Sequence, residues 1–423
     1  MSQQGPILVV STARRPAFAA TLDLARLFPV VETEWADAVR AVEQVQPAAV
    51  LAAASDADDA RLAELAARVA ARQPYLPLIA VDPRVPHPDN VIPFFQSQIP
   101  QTQISQSHGG TDRLVARLRA ALRVRSLHDT VLRRSETQTE PSPEFPTHDP
   151  LEDATVLVAG RGRSYPALTM AIGERMGLIG ALSFDTARNC LNARDVDAVV
   201  IGDGFNRTMV EDFMDELCAD PRWRDLPVIV PRDSVRDLDP ERSPNVDRLS
   251  GSAEDIANYI VPFARMHAFS ARLKRIACSL DQRGALAPET GLLTRDAFMD
   301  ELNRIAATAE KRGAGLSLAR LCFDGLANRA NLDAARITGR LLRPSDLACR
   351  DDDGTILIAF TATDLVTAHV VVRRIASVLK HTTLSVGSER SRLGPSISLA
   401  AFRPRDTVDT LLARTIDNRA AVS

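Results

Sequence analysis

The chain has 423 residues with a net charge of −3 at pH 7. That is too long for one compact core, and it predicts roughly two to four domains. No basic tail marks a nucleic-acid binder, and no uncharged apolar run reaches the length of a membrane span.

The opening Met1-Ser2-Gln3-Gln4-Gly5 has no basic segment and no apolar segment of an export signal. Cys190, Cys218, Cys278, Cys322 and Cys349 are far apart and show no metal-ligand spacing. They read as reduced thiols of a cytoplasmic protein. All cationic side chains except Lys274, Lys311 and Lys380 are arginines, which offer planar, bidentate donors.

Pro6-Ile7-Leu8-Val9-Val10 is a short apolar run ended by Ser11-Thr12, and 17–27 is amphipathic. A helical stretch over 36–46 leads into the apolar run 48–52, and a helix over 58–71 precedes Leu78-Ile79-Ala80-Val81. Apolar strands alternating with amphipathic helices predict a parallel sheet covered on both faces. The first unit closes with a long Arg-rich helix over 111–134, with Leu114, Leu118, Leu122 and Val131 on one side.

Residues 135–152 are polar, rich in proline and aperiodic, and read as a linker. The strand–helix rhythm then restarts with Thr155-Val156-Leu157-Val158, Ala198-Val199-Val200-Ile201 and Pro227-Val228-Ile229-Val230. Phe269, Leu273, Ile276 and Leu280 form a seam suited to a partner helix. They lie on a connecting helix over 264–286, with Pro262 as its kink or start. The terminal unit alternates helices at 295–310, 332–342, 365–379 and 408–418 with strands at 316–323, 347–350, 355–360 and 396–402. That mixture, with an antiparallel hairpin, reads as α+β.

The two front units resemble receiver domains of two-component signalling. The resemblance implies a flavodoxin-like parallel sheet in each. It also sets requirements for phosphotransfer: paired acids after the first strand, an aspartate after the third, a hydroxyl after the fourth and a lysine after the fifth. In unit one these positions hold Ser11 and Thr12, Ala53 and Asp82. In unit two they hold Gly160 and Arg161, Gly202, Arg232 and Gly251. The remaining acceptor candidate is Asp203, one position past the expected place and without paired acids for Mg²⁺. Both units therefore read as pseudo-receivers for docking or dimerisation. Gly160-Arg161-Gly162-Arg163 lacks the continuation of a dinucleotide loop and reads as a plain turn.

The terminal unit resembles a degenerate diguanylate cyclase (GGDEF) domain. Thr290-Gly291-Leu292-Leu293-Thr294-Arg295 with Phe298 is similar to the family's opening T-G-L-x-N-R…F. Leu321-Cys322-Phe323-Asp324 falls on its metal-binding strand end, and Asp352-Asp353-Gly354-Thr355-Ile356 on its signature. At the signature, the resemblance implies metal-binding acids and a glycine turn for a triphosphate. Here Cys322, a soft ligand, replaces one metal acid, and Asp324 retains another. Asp352 and Asp353 stand for the two glycines, and Gly354 and Thr355 for the acidic pair. The family's guanine-reading N-D…G-H-x-x-G-D segment has no counterpart in the short interval before Arg343, which holds Asn328, Asn331 and Asp333.

The family's inhibitory site is an R-x-x-D ahead of the signature plus an arginine on the following helix. Arg343, Asp346 and Arg374 match it. The resemblance implies that these three bind cyclic di-GMP, with Arg340 and Arg373 as further candidates for phosphate contacts.

The arrangement is α/β: pseudo-receivers over 1–134 and 153–263, a connecting helix over 264–286 and a degenerate GGDEF domain over 287–423. It is that of PleD/PopA-like response regulators. The implied protein is a non-enzymatic cyclic di-GMP effector, cytoplasmic with polar localisation, serving cell-cycle control. It is expected to dimerise through the receivers and the connecting helix. No cofactor and no metal site are expected, and the seven histidines show no ligand spacing. The competing readings are a working diguanylate cyclase and a ligand-free scaffold.

Overall fold

The computed structural model describes residues 5–12, 16, 18–19, 22, 29–54, 58–84, 86–95, 109–137, 148–223, 225–231, 245–282, 284–312, 315–323, 328–343, 345–380, 382–386, 389–392 and 394–417. The chain forms two compact units. One contains residues 1–136, 149–187 and 196–273; the other contains 137–148, 188–195 and 274–423.

The first unit holds both front halves. β1 (Ile7–Val10), β2 (Val30–Thr33), β3 (Ala49–Ala53), β4 (Leu78–Val81) and β5 (Val91–Phe94) pair in parallel in the order β2-β1-β3-β4-β5. Successive strand side chains point to opposite faces. Ile7, Val9, Leu51 and Ile79 accordingly enter one apolar cluster, and Leu8, Val10, Val50 and Leu78 enter the other. Continuous apolar runs are thus buried on both sides. The helix Asp59–Ala70 covers one face with Leu62, Leu65, Ala66 and Val69, and Asp58 caps it by accepting from the Ala60 N–H.

The second half repeats this order. β6 (Thr155–Ala159) lies between β7 (Gly177–Ala181) and β8 (Ala198–Ile201), followed by β9 (Val228–Val230) and β10 (Val246–Arg248), with all these pairs parallel. The strands β2, β5, β7 and β10 escape the sequence reading, being short or, like Gly177–Ala181, weakened by glycine. The amphipathic stretch 17–27 falls mostly outside the described residues, as does Arg232. Phe18, Ala19 and Leu22 are helical and buried.

Two long helices frame this unit. Gly109–Thr137 runs beyond the expected 134 into the linker, whose middle, 138–147, is outside the described residues. Ala253–Asp281 begins eleven residues before the expected start, with Pro262 in its interior. A proline there removes one hydrogen bond, and the buried Tyr259, Ile260, Val261, Phe263 and Ala264 around it hold the helix together. The seam residues Leu273, Ile276 and Leu280 are buried.

In the second unit, β11 (Leu316–Cys322), β12 (Leu347–Arg350), β13 (Ile356–Thr361) and β16 (Ser396–Ala401) form an antiparallel sheet in the order β12-β13-β11-β16. β14 (Thr383–Val386) and β15 (Glu389–Arg392) form a further antiparallel hairpin. The helices Asn328–Leu341 and Leu365–Lys380 pack Ile337, Val372 and Ile375 against Leu321, Ile356 and Ile358. On the opposite face, Phe298, Leu302 and Leu411 meet Leu318, Leu357 and Ala359. The α+β expectation and its four sheet strands hold. No described helix is long and apolar enough to cross a membrane.

Candidate functional site

The β12–β13 hairpin carries the signature positions at its turn. Gly354 N–H donates to Asp351 O at 2.9 Å, and Asp351 N–H to Thr355 O at 2.8 Å. Gly354 adopts φ +79°, and a Cβ there would lie 2.6 Å from Asn331 Nδ2. Only glycine suits that backbone. The turn glycine has moved to the third signature position, where the sequence reading saw only a lost acid.

Register places this turn beside the end of β11, because Leu321 opposes Ile356. Arg320 and Cys322 leave β11 on the same face, two residues apart. Arg320 Nη2 donates to Asp353 Oδ2 at 3.1 Å and to Thr355 Oγ1 at 3.4 Å, and its Nε lies 3.4 Å from Cys322 Sγ. Thr355 N–H donates to Asp353 Oδ1 at 2.9 Å. Partial burial opposes ionisation of Asp353. Hydrogen bonds from Thr355 and the charges of Arg320 and Arg295 outweigh it and hold the carboxyl below its usual range. A guanidinium therefore stands among the groups that would have to receive a divalent cation, and Cys322 is a soft donor. These residues do not fit Mg²⁺. Asp324 lies outside the described residues.

Behind the turn, Asn331 is buried on the helix Asn328–Leu341. Its Nδ2 donates to Gly354 O at 2.7 Å, and its Oδ1 accepts from Arg350 Nε at 2.5 Å. Arg350 Nη2 reaches Asn328 Oδ1 at 2.8 Å. Asp333 pairs with Arg336 at 3.3 Å in the same helix. Three of the polar side chains in the short interval are thus spent on bracing this module. Sequence reasoning passed over Arg320 and gave Asn331 and Arg350 no bracing role. The signal for Arg320 was its two-residue offset from Cys322 on a strand.

At the other end of β12, Asp346 N–H donates to Arg343 O at 3.0 Å, so Arg343 and Asp346 share one turn. Arg343, Arg373 and Arg374 are exposed and Asp346 is half-buried. None of these four side chains has a hydrogen bond or ion pair to another described residue. Arg374 sits on the helix Leu365–Lys380, whose buried Val372 and Ile375 share an apolar layer with Leu341 and Leu342 just ahead of Arg343. Arg340 is already ion-paired with Asp195.

In the front unit, the Asp203 carboxylate accepts from the Ser164 hydroxyl and, at 3.3 and 3.4 Å, from the Ser164 N–H. The Ser164 hydroxyl bond is the main reason its carboxyl lies below the usual range. A Cβ on Gly162 would fall 2.2 Å from Asp203 Cγ, so the glycine turn wraps this carboxylate closely. The places of the family's paired acids hold Ser11, Thr12, Gly160 and Arg161, and Ala53 ends β3. Among the described residues no cluster of three His, Cys, Asp or Glu side chains could hold a metal ion.

No protein-family model matches this chain, and no curated protein matches it. Similar solved structures include the diguanylate cyclase SiaD from Pseudomonas aeruginosa in complex with its activator SiaC. It is 21% identical over 35% of this chain and 63% of that chain, with a TM-score of 0.31. The chain thus spans less than two thirds of SiaD. The GGDEF domain of DgcB from Caulobacter crescentus in complex with c-di-GMP is 23% identical over 32% of this chain and 86% of that chain, with a TM-score of 0.30. The FimX GGDEF domain from Pseudomonas aeruginosa is 15% identical over 32% of this chain and 92% of that chain, with a TM-score of 0.30.

Proposed function

We propose that this chain is a cyclic di-GMP-binding effector of bacterial second-messenger signalling without synthase activity. In this reading it is built from two pseudo-receiver halves and a degenerate GGDEF-like domain, as in PleD/PopA-like response regulators. The reading rests on the contrast between the two ends of β12. At its start, Arg343 and Asp346 stand in one turn with side chains uncommitted to any other described residue. At its end, Arg320, Asp353, Thr355 and Cys322 are taken up by one another.

The chemistry suits a guanine edge. The Arg343 guanidinium donates to O6 and N7, as such forks do on guanine. The Asp346 carboxylate accepts from N1–H and the exocyclic amine, and Arg374 supplies a second cation to the ligand. Synthesis would need a metal-held triphosphate, and the positive charge of Arg320 opposes the metal cation. The short interval between Asp324 and Arg343 holds Asn328, Asn331 and Asp333 and no Gly-His, so the family's guanine-reading segment has no counterpart in it. With Asp203 engaged by Ser164, the front halves serve as docking modules, not as phosphoacceptors. An adaptor role in cell-cycle control at a cell pole completes the proposal.

Calorimetry with cyclic di-GMP on the wild type and Arg343→Ala tests it. Each bidentate base contact contributes about 1–3 kcal/mol, so the variant should bind about one to two decades more weakly. Equal affinity for both proteins, or none for either, would sink the sensing role.

A further inference from the structure

The two front halves end in the same elements, a last strand and a last helix: β5 with Gly109–Thr137, and β10 with Ala253–Asp281. These elements face each other within the first unit. Asp247 on β10 accepts from Arg113 Nη2 at 2.7 Å and from Arg117 Nη2 at 2.5 Å. The Arg117 and Asp247 side chains are only 8% and 9% exposed. Arg117 also donates to Pro93 O at 2.7 Å, and its guanidinium lies 4.7 Å from the Phe263 ring centroid. Phe95 stacks on Tyr259 at 5.9 Å.

Farther along, His128 meets Phe269 edge-on at 5.1 Å. The contacts climb together, from Arg117 with Phe263 to His128 with Phe269, so the two helices run in the same direction. Leu114, Leu118 and Leu122 share one continuous core with Ile260, Ala264 and Ala268. This core is contributed by both halves.

We propose that the two halves are each other's partner in cis, so that the last-strand, last-helix face of each is closed and the chain does not homodimerise through it. It bears on the receiver-mediated part of the expected dimer and not on the seam residues Leu273, Ile276 and Leu280, which lie outside this core. A guanidinium buried this deeply is tolerated only with its carboxylate in place, so the Arg117–Asp247 pair marks a contact that excludes water. The faces match because the halves repeat the same order of strands, which gives an internal pairing of like with like. A short covalent tether sets an effective concentration of roughly millimolar. A second chain at micromolar concentration cannot compete with it.

The test is light scattering on the full chain, followed by cleavage at a protease site placed within residues 138–147. The intact protein should give the single-chain mass of 46.0 kDa across the micromolar range. After cleavage the two fragments should co-elute one to one, and Asp247→Ala should separate them. A doubled mass before cleavage, including one from exchanged halves, overturns the proposal. So does separation of the wild-type fragments.

Discussion

Arg320 holds its Nη2 3.1 Å from the Asp353 carboxylate, so the acid at the second signature position is neutralised by a side chain from the adjacent strand. In the proposed reading that positive charge stands where synthesis would need a metal. Restoring the signature letters should therefore not restore chemistry. With Cys322→Asp, Asp352→Gly, Asp353→Gly, Gly354→Asp and Thr355→Glu combined, GTP and Mg²⁺ should still give no cyclic product by chromatography. Arg320 remains, and the interval before Arg343 still has no guanine-reading segment. Product from that variant or from the wild type would refute the non-enzymatic reading.

Within the proposed ligand site, Asp346→Ala should weaken cyclic di-GMP binding by about 1–3 kcal/mol, as loss of a bidentate base contact does. Arg340→Ala should leave the affinity within a factor of two or so, because Arg340 is committed to Asp195 and exposed ion pairs contribute only about 0–1 kcal/mol. Titration calorimetry separates the two cases.

Gly354→Ala should destabilise the C-terminal unit by about 1–2 kcal/mol from the left-handed backbone alone. The added Cβ also meets Asn331 at 2.6 Å and disturbs its bond to Gly354 O. Urea denaturation reads this as a lower midpoint. An unchanged midpoint would show that the turn rearranges freely.

His128 is buried, and its Nδ1 accepts the Tyr75 N–H at 2.9 Å. Burial, aided by the charge of Arg125, lowers its pKa below the ordinary 6.5. The unfolded state then binds the proton more readily, so this contribution is fully present above about pH 6.5. It is lost as pH falls through that value towards the lower folded pKa. His87 shifts in the same direction, mainly by burial. Stability measured from pH 7.5 to 5 should fall, and His128→Gln should flatten the slope.

Incubation with acetyl phosphate and Mg²⁺ should leave the protein unlabelled, because Asp203 is bound by Ser164 and belongs to no metal-holding cluster among the described residues. Stable labelling that disappears in Asp203→Ala would restore phosphorelay to the front unit.

Much of this protein was legible in its residue order because the relevant forces are local. Apolar runs such as Ile7–Val10 and Ala198–Ile201 announce buried parallel strands, and the C-terminal helices follow from the spacing of residues like Ala368, Val372, Ile375 and Leu379. The pairing of Arg343 with Asp346 in one turn is likewise a matter of three positions along the chain. Edge strands such as Val246–Arg248 were not legible, since three residues carry too little pattern.

What folding alone decided depends on contacts between distant positions. Asp247 meets Arg117 across 130 residues, and no local rule links them. That encounter joins Leu114, Leu118 and Leu122 to Ile260, Ala264 and Ala268 in one core. Arg320 reaches Asp353 across 33 residues, and only strand register brings the two together. Burial of charge is tolerated where a partner arrives from elsewhere in the chain, and a one-dimensional pattern does not contain that partner.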